Sequence, residues 1–157
     1  MLSANWYHVQ LLSVCIALKG NRTNKRTNMP TTISSYFADE LTDWGQSINY
    51  YNRETDELTQ KLGELIRRNS IPGIAEKVEM QQDALNRASG HSLNLQVQLQ
   101  QQLDFLTSDS SFIDDSFISA ETENKQAELR KQMQELEKQF IDVKYNCYGF
   151  LSGMLKK

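Results

Sequence analysis

Leu41, Trp44, Ile48, Tyr51, Thr55, Leu58, Leu62 and Leu65 follow one another in alternating steps of three and four residues. An α-helix returns side chains to one side at that spacing, so these positions draw a narrow apolar stripe, interrupted at Thr55. The register returns near the end of the chain in Leu129, Met133, Leu136, Phe140, Val143, Cys147, Phe150 and Met154. A weaker stripe lies between them: Ile74, Val78, Gln81, Leu85, Ala88, Ser92, Leu95, Leu99, Gln102 and Leu106. Such stripes gain stability only by packing on other helices.

Turn punctuation is sparse, with 7 Gly and 2 Pro in 157 residues, which argues against an all-β fold. Ser70-Ile71-Pro72-Gly73 is the clearest break, and Pro72 is pre-set for the first turn of the helix that follows. The run from Thr107 to Ser116 is the second connection. Helices are expected over about 34–69, 72–107 and 117–155, capped by hydroxyls of Thr32, Ser34 or Ser35 at the first and Ser116 or Ser119 at the third. Leu93, Leu95, Val97 and Leu99 alternate as a strand would. The heptad continues on both sides of them, so helix is expected here too, with a wider buried face. Phe112, Ile113 and Phe117 are expected to fold back over the core. Matched lengths and tight connections give an all-α fold, an elongated antiparallel three-helix bundle (up-down-up) with coiled-coil-like packing over residues 31–157.

Residues 1–30 read as a disordered or dispensable extension. Val9 to Leu18 is apolar but too short to span a bilayer, and no positive charge precedes it as a secretory signal requires. Leu12-Ser13-Val14-Cys15 has the outline of a lipoprotein cleavage site, but bulky Val14 stands where a small residue is needed. A cytoplasmic location follows, without secretion or lipidation through residues 1–18. The abrupt change of composition at Met29-Pro30 marks Met29 as the expected natural start.

The net charge of −3 hides an asymmetry. Lys19, Arg22, Lys25 and Arg26 stand in a segment without acids, which leaves 13 basic residues against 20 acidic ones in the remainder. Such a body repels phosphate, so no nucleic-acid partner is expected. Two cysteines, Cys15 and Cys147, make neither a disulfide framework nor a zinc site, and Cys147 sits on a stripe as a small core side chain.

His91, the one histidine of the body, lies in the small-residue stretch Ala88-Ser89-Gly90-His91-Ser92, at the expected level of Tyr51 and Thr55. This waist reads either as close helix approach or a mild kink, or as a small polar pocket built from Tyr51, Thr55 and His91. Without a second histidine or a Glu-x-x-His motif no metal centre is expected. Nor is there a nucleophile–histidine–acid pattern, so neither enzyme nor cofactor is expected. Asp109, Asp114 and Asp115 lack calcium-loop spacing and read as a solvated turn. Gln96, Gln98, Gln100, Gln101 and Gln102 offer an uncharged helix face. Tyr145, Tyr148, Phe150, Leu151, Met154 and Leu155 make the last turns apolar nearly all round. Leu62, Leu65, Ile74 and Val78 cover one side of that end, and the remainder is a candidate partner surface. The expected function is non-catalytic protein–protein interaction, as an adaptor, assembly subunit or chaperone-like binder, with another protein or a second copy as partner. The alternative is a small-molecule or cofactor-binding bundle, with or without enzymatic activity, whose pocket lies at the waist.

Overall fold

The computed structural model describes residues 32–68, 71–108 and 111–155. The extension, the proposed start at Met29, and Cys15 lie outside the described residues. Three helices, α1 (Ile33–Arg68), α2 (Ile74–Leu106) and α3 (Ala120–Leu155), pack against each other as an antiparallel bundle. α2 packs on both neighbours, and α1 and α3, which run parallel, share a narrower contact.

Thr32 opens α1 through a reciprocal cap. Its Oγ1 accepts the Ser35 N–H at 3.1 Å, and Ser35 Oγ accepts the Thr32 N–H at 3.2 Å. Ser34 turns elsewhere, donating to the Ile113 carbonyl at 2.8 Å. Asp115 Oδ1, from the second connection, accepts the N–H groups of Ile33 (2.9 Å) and Ser34 (3.3 Å). One carboxylate therefore satisfies two orphan donors at the positive end of α1 and ties the connection to it. Asp115→Ala is expected to lower stability by about 1–2 kcal/mol in thermal unfolding. A loss below about 0.3 kcal/mol would show that the Thr32 cap suffices alone.

The first connection is a tight turn closed by Ile74 N–H to the Ile71 carbonyl at 3.2 Å. Gly73 sits at φ 75, ψ 5, a left-handed conformation that costs residues with a Cβ about 1–2 kcal/mol. α2 thus begins at Ile74, two residues later than expected, and Pro72 belongs to the turn and not to the helix. Gly73→Ala is expected to destabilise by about 1 kcal/mol in urea unfolding; an unchanged midpoint would mean the turn relaxes freely.

In the second connection Thr107–Ser108 and Ser111–Phe112 pair as a two-residue antiparallel ladder, Thr107 opposite Phe112. A 3-10 turn follows at Asp115–Phe117, capped by Asp114, whose carboxylate accepts the Ser116 N–H at 2.8 Å. Its hydrogen bonds from Ser116 hold that carboxyl below the usual range. α3 starts only at Ala120, with Ser119 Oγ accepting the Thr122 N–H at 3.3 Å, because these two caps stop the backbone from running on from residue 117. Phe112 and Phe117 do not cover the core as expected: they are 49% and 71% exposed. Ile113 packs against it as expected, and Ile118 takes the place of the two rings.

Every apolar stripe position on α1 except half-buried Trp44 is buried, as are Leu129, Met133, Leu136, Phe140 and Cys147 of α3. The core divides into two apolar clusters, one from Leu41 to Tyr51 on α1 and the other from Leu58 to Leu65. Buried Thr55 lies between them in sequence, and buried Ser92 plays the same part on α2. Residues 93–99 are helical, but the wider buried face does not form. Leu93 and Val97 are 58% and 57% exposed, since at 100° per residue they fall outside the seam that Leu95 and Leu99 occupy.

Candidate functional site

The positions beside each seam decide what each groove contains. Between α1 and α2 the groups are neutral: Ser92 Oγ donates to Asn52 Oδ1 at 2.7 Å. Between α2 and α3 runs a row of amides. Lys125 Nζ donates to Gln98 Oε1 (3.0 Å), Gln98 Nε2 to Gln132 Oε1 (3.2 Å), and His91 Nδ1 to Gln139 Oε1 (2.7 Å). The α1–α3 contact is charged instead. Arg130 forks onto Glu40, Nε to Oε1 at 2.9 Å and Nη2 to Oε2 at 2.7 Å, and Gln126 Nε2 adds a 2.9 Å bond to the same carboxylate. Lys144 Nζ meets Glu54 Oε2 at 2.6 Å.

The waist residues do not converge. Tyr51 is buried with its ring stacked on Phe140, centroids 4.3 Å apart, on the side of α1 that faces α3. Thr55 is buried one turn further along. His91 is exposed and lines the α2–α3 cleft of about 280 Å³ with Asn94, Leu95, Gln98, Gln132, Glu135, Leu136 and Gln139. Neither Tyr51 nor Thr55 lines that cleft. Gly90 is exposed and meets open space, so close approach at the waist comes from Ala88 and Ser92.

The glutamine run also divides: Gln98 joins the cleft, Gln102 is buried in the seam, Gln100 bonds Asp104 on its own helix, and Gln101 is exposed. Gln102 Nε2 and Gln126 Oε1, both buried, have no hydrogen-bond partner among the described residues. Such groups lower stability, and on a heptad seam they favour one register over its neighbours.

One constellation was not foreseen from the stripes. Tyr50, Tyr51 and Phe140 form an aromatic cluster, and Lys144 Nζ lies 5.6 Å from the Tyr50 and Phe140 ring centres. Lys144 also donates to Tyr50 Oη at 3.3 Å. Burial pulls the lysine pKa down, and the bonds to Glu54 and Tyr50 more than offset it, so the ammonium lies above its ordinary value. Its bonds to Glu54 and Tyr50 of α1 make this side chain of α3 a clasp between the two helices. Burial pushes the Tyr51 hydroxyl up to about 12, helped by the charges of Glu137 and Tyr50. The spacings Tyr50–Glu54 and Phe140–Lys144, each four residues, were the available signal.

At the far end of α3, Tyr148, Phe150, Leu151 and Met154 are half-buried against Leu58, Leu62, Leu65, Ile74 and Val78. Tyr145 remains 61% exposed, and Leu155 closes the helix with its side chain outside the described part. Lys61 Nζ covers the Tyr148 ring at 5.4 Å. Burial raises the Cys147 thiol, opposed by Lys61.

Among the described residues no group of three or more His, Cys, Asp or Glu is arranged to hold a metal ion. No described helix is long and apolar enough to cross a membrane. Comparison with known proteins finds no matching family, no similar characterised protein and no similar solved structure.

Proposed function

We propose that this chain is a non-catalytic helical scaffold that works by binding another protein on its outer surface, in the cytoplasm. The observation that carries this reading is the surplus of large apolar side chains left outside a filled seam. Phe105, Phe112 and Phe117 are 52%, 49% and 71% exposed at one end, and Leu93 and Val97 stand together on α2. Folding gains nothing from such groups in water, and clusters of them commonly mark contact surfaces. A buried free thiol at Cys147 accords with a reducing compartment. Tyr145 is retained as a second contact point, with Ile141, 48% exposed, one turn before it.

The test is a photoreactive amino acid introduced at Phe117, and at Asp56 as a control, in the native cells. Discrete protein adducts at Phe117 and none at Asp56 support binding. No adducts at Phe117, Leu93 or Tyr145 would overturn it. The cleft at His91 supports a second reading, a small-molecule site, because it is concave and lined by amide donors and acceptors. A ligand of that cleft would raise the melting temperature of the wild type and not of His91→Ala.

A further inference from the structure

The charges of this bundle are segregated along its length. Asn52 meets Ser92, and α3 lies beside α1 with Arg130 opposite Glu40 and Lys144 opposite Glu54. A cut at that level puts the described residues 32–52, 92–108 and 111–142 in one half. This half holds twelve acids against four bases, whereas the described residues 53–68, 71–91 and 143–155 hold seven acids against seven bases. Part of the acidity serves folding: Asp114 and Asp115 cap, Glu121 sits in the first turn of α3, and Glu40 pairs with Arg130. Asp39, Asp104 and Glu123 remain as exposed carboxylates near the same end.

The exposed rings stand at that acidic end. Phe105 precedes Leu106, whose carbonyl accepts the Ile113 N–H; Phe112 is in the ladder; Phe117 closes the 3-10 turn; Ile33 and Tyr36 open α1 and are 44% and 50% exposed. Apolar rings within a negative field are repelled from anionic lipid surfaces and from nucleic acid. A second copy would present either the same acidic end or the half in which acids and bases balance, and neither supplies a positive surface. Of the macromolecules such a surface could hold, a positively charged protein segment satisfies both features.

We infer that the second-connection end of the bundle, with Phe105, Phe112 and Phe117 among carboxylates, docks a basic amphipathic segment of a partner protein. The inference rests on the binding function proposed above. Apolar side chains of the partner cover the rings, and its lysines and arginines face Asp39, Asp104, Glu121 and Glu123.

The probe is a fluorescent amphipathic peptide of leucine and lysine, about 18 residues long, beside a leucine–glutamate peptide of equal length. Binding to the full chain is read by anisotropy. The lysine peptide is expected to bind at least about tenfold more tightly than the glutamate peptide at low salt, and to weaken as salt shortens the screening length. Phe105→Ser with Phe117→Ser is expected to lose at least about tenfold, with helicity by circular dichroism unchanged since both rings are exposed. Asp39→Asn, Asp104→Asn, Glu121→Gln and Glu123→Gln together should remove the salt dependence. Equal binding of both peptides, or indifference to both sets of variants, overturns the inference. So does carbodiimide coupling of these acids to Lys19 or Lys25 of the same chain, or to a second copy, in place of the peptide. Adducts at Phe117 in cells without peptide binding would sink the basic-partner inference and leave the binding function standing. Peptide binding without adducts at Phe117, Leu93 or Tyr145 would sink both, since the peptide would then be held where no cellular partner docks.

Discussion

Leu136→Ala is expected to lower the unfolding free energy by about 2–5 kcal/mol. Leu136 is 4% exposed and packs in the larger core cluster with Ile48, Tyr51, Leu95, Leu99 and Leu129. Truncation removes its apolar area from the core and leaves a cavity among ring and branched side chains that cannot all collapse into it. The matched control is Ile141→Ala on the same helix, where 48% exposure limits the loss to about 0.5 kcal/mol. Equilibrium urea unfolding, read by helicity, separates the two. A loss below about 1 kcal/mol at Leu136 would mean that α3 is rotated from the register described.

The second large effect is on the alkaline side. Tyr51 is neutral in the folded chain up to about 12, against an ordinary value of 10.0. Between those values the unfolded chain has released its proton and the folded one has kept it. Fewer protons on the unfolded state mean that stability falls as pH rises. The stabilisation is complete below about pH 10 and is lost towards pH 12, by up to about 2–3 kcal/mol. Lys144, held above its ordinary value by Glu54 and Tyr50, loses stabilising charge in the same direction. Tyr51→Phe should flatten the tyrosine part of this decline and leave the lysine part. Unfolding curves taken at intervals from about pH 9 to 12 measure it, and a slope identical in Tyr51→Phe would show that the hydroxyl is not the source.

The stripes made the three helices legible because a heptad can be read from one helix alone. Leu41 to Leu65 and Leu129 to Met154 occupy the faces their spacing assigns. The ends of elements were harder, since Gly73 and Ser119 act through backbone conformation and capping that compete with propensity over two or three residues. Azimuth was harder still. Asn52 and Ser92 meet, so residues near 52 and 92 share a level, but Tyr51 turns to Phe140 and His91 to Gln139. Level follows from helix length and turn position, whereas azimuth depends on where the other two helices stand. The Glu40–Arg130 and Glu54–Lys144 pairs were out of reach for the same reason: each joins partners 90 residues apart in sequence.

That shared separation of 90 restricts how the gene can change length. Glu40 and Glu54 are two heptads apart on α1, and Arg130 and Lys144 are two heptads apart on α3. His91 and Gln98 stand one heptad apart opposite Gln139 and Gln132. A single inserted or deleted residue inside any one helix would put its fastenings out of step with two neighbours and turn its stripe by 100°. Length variation among descendants of this sequence is therefore expected in the two connections, or as whole heptads gained or lost at one level of all three helices together.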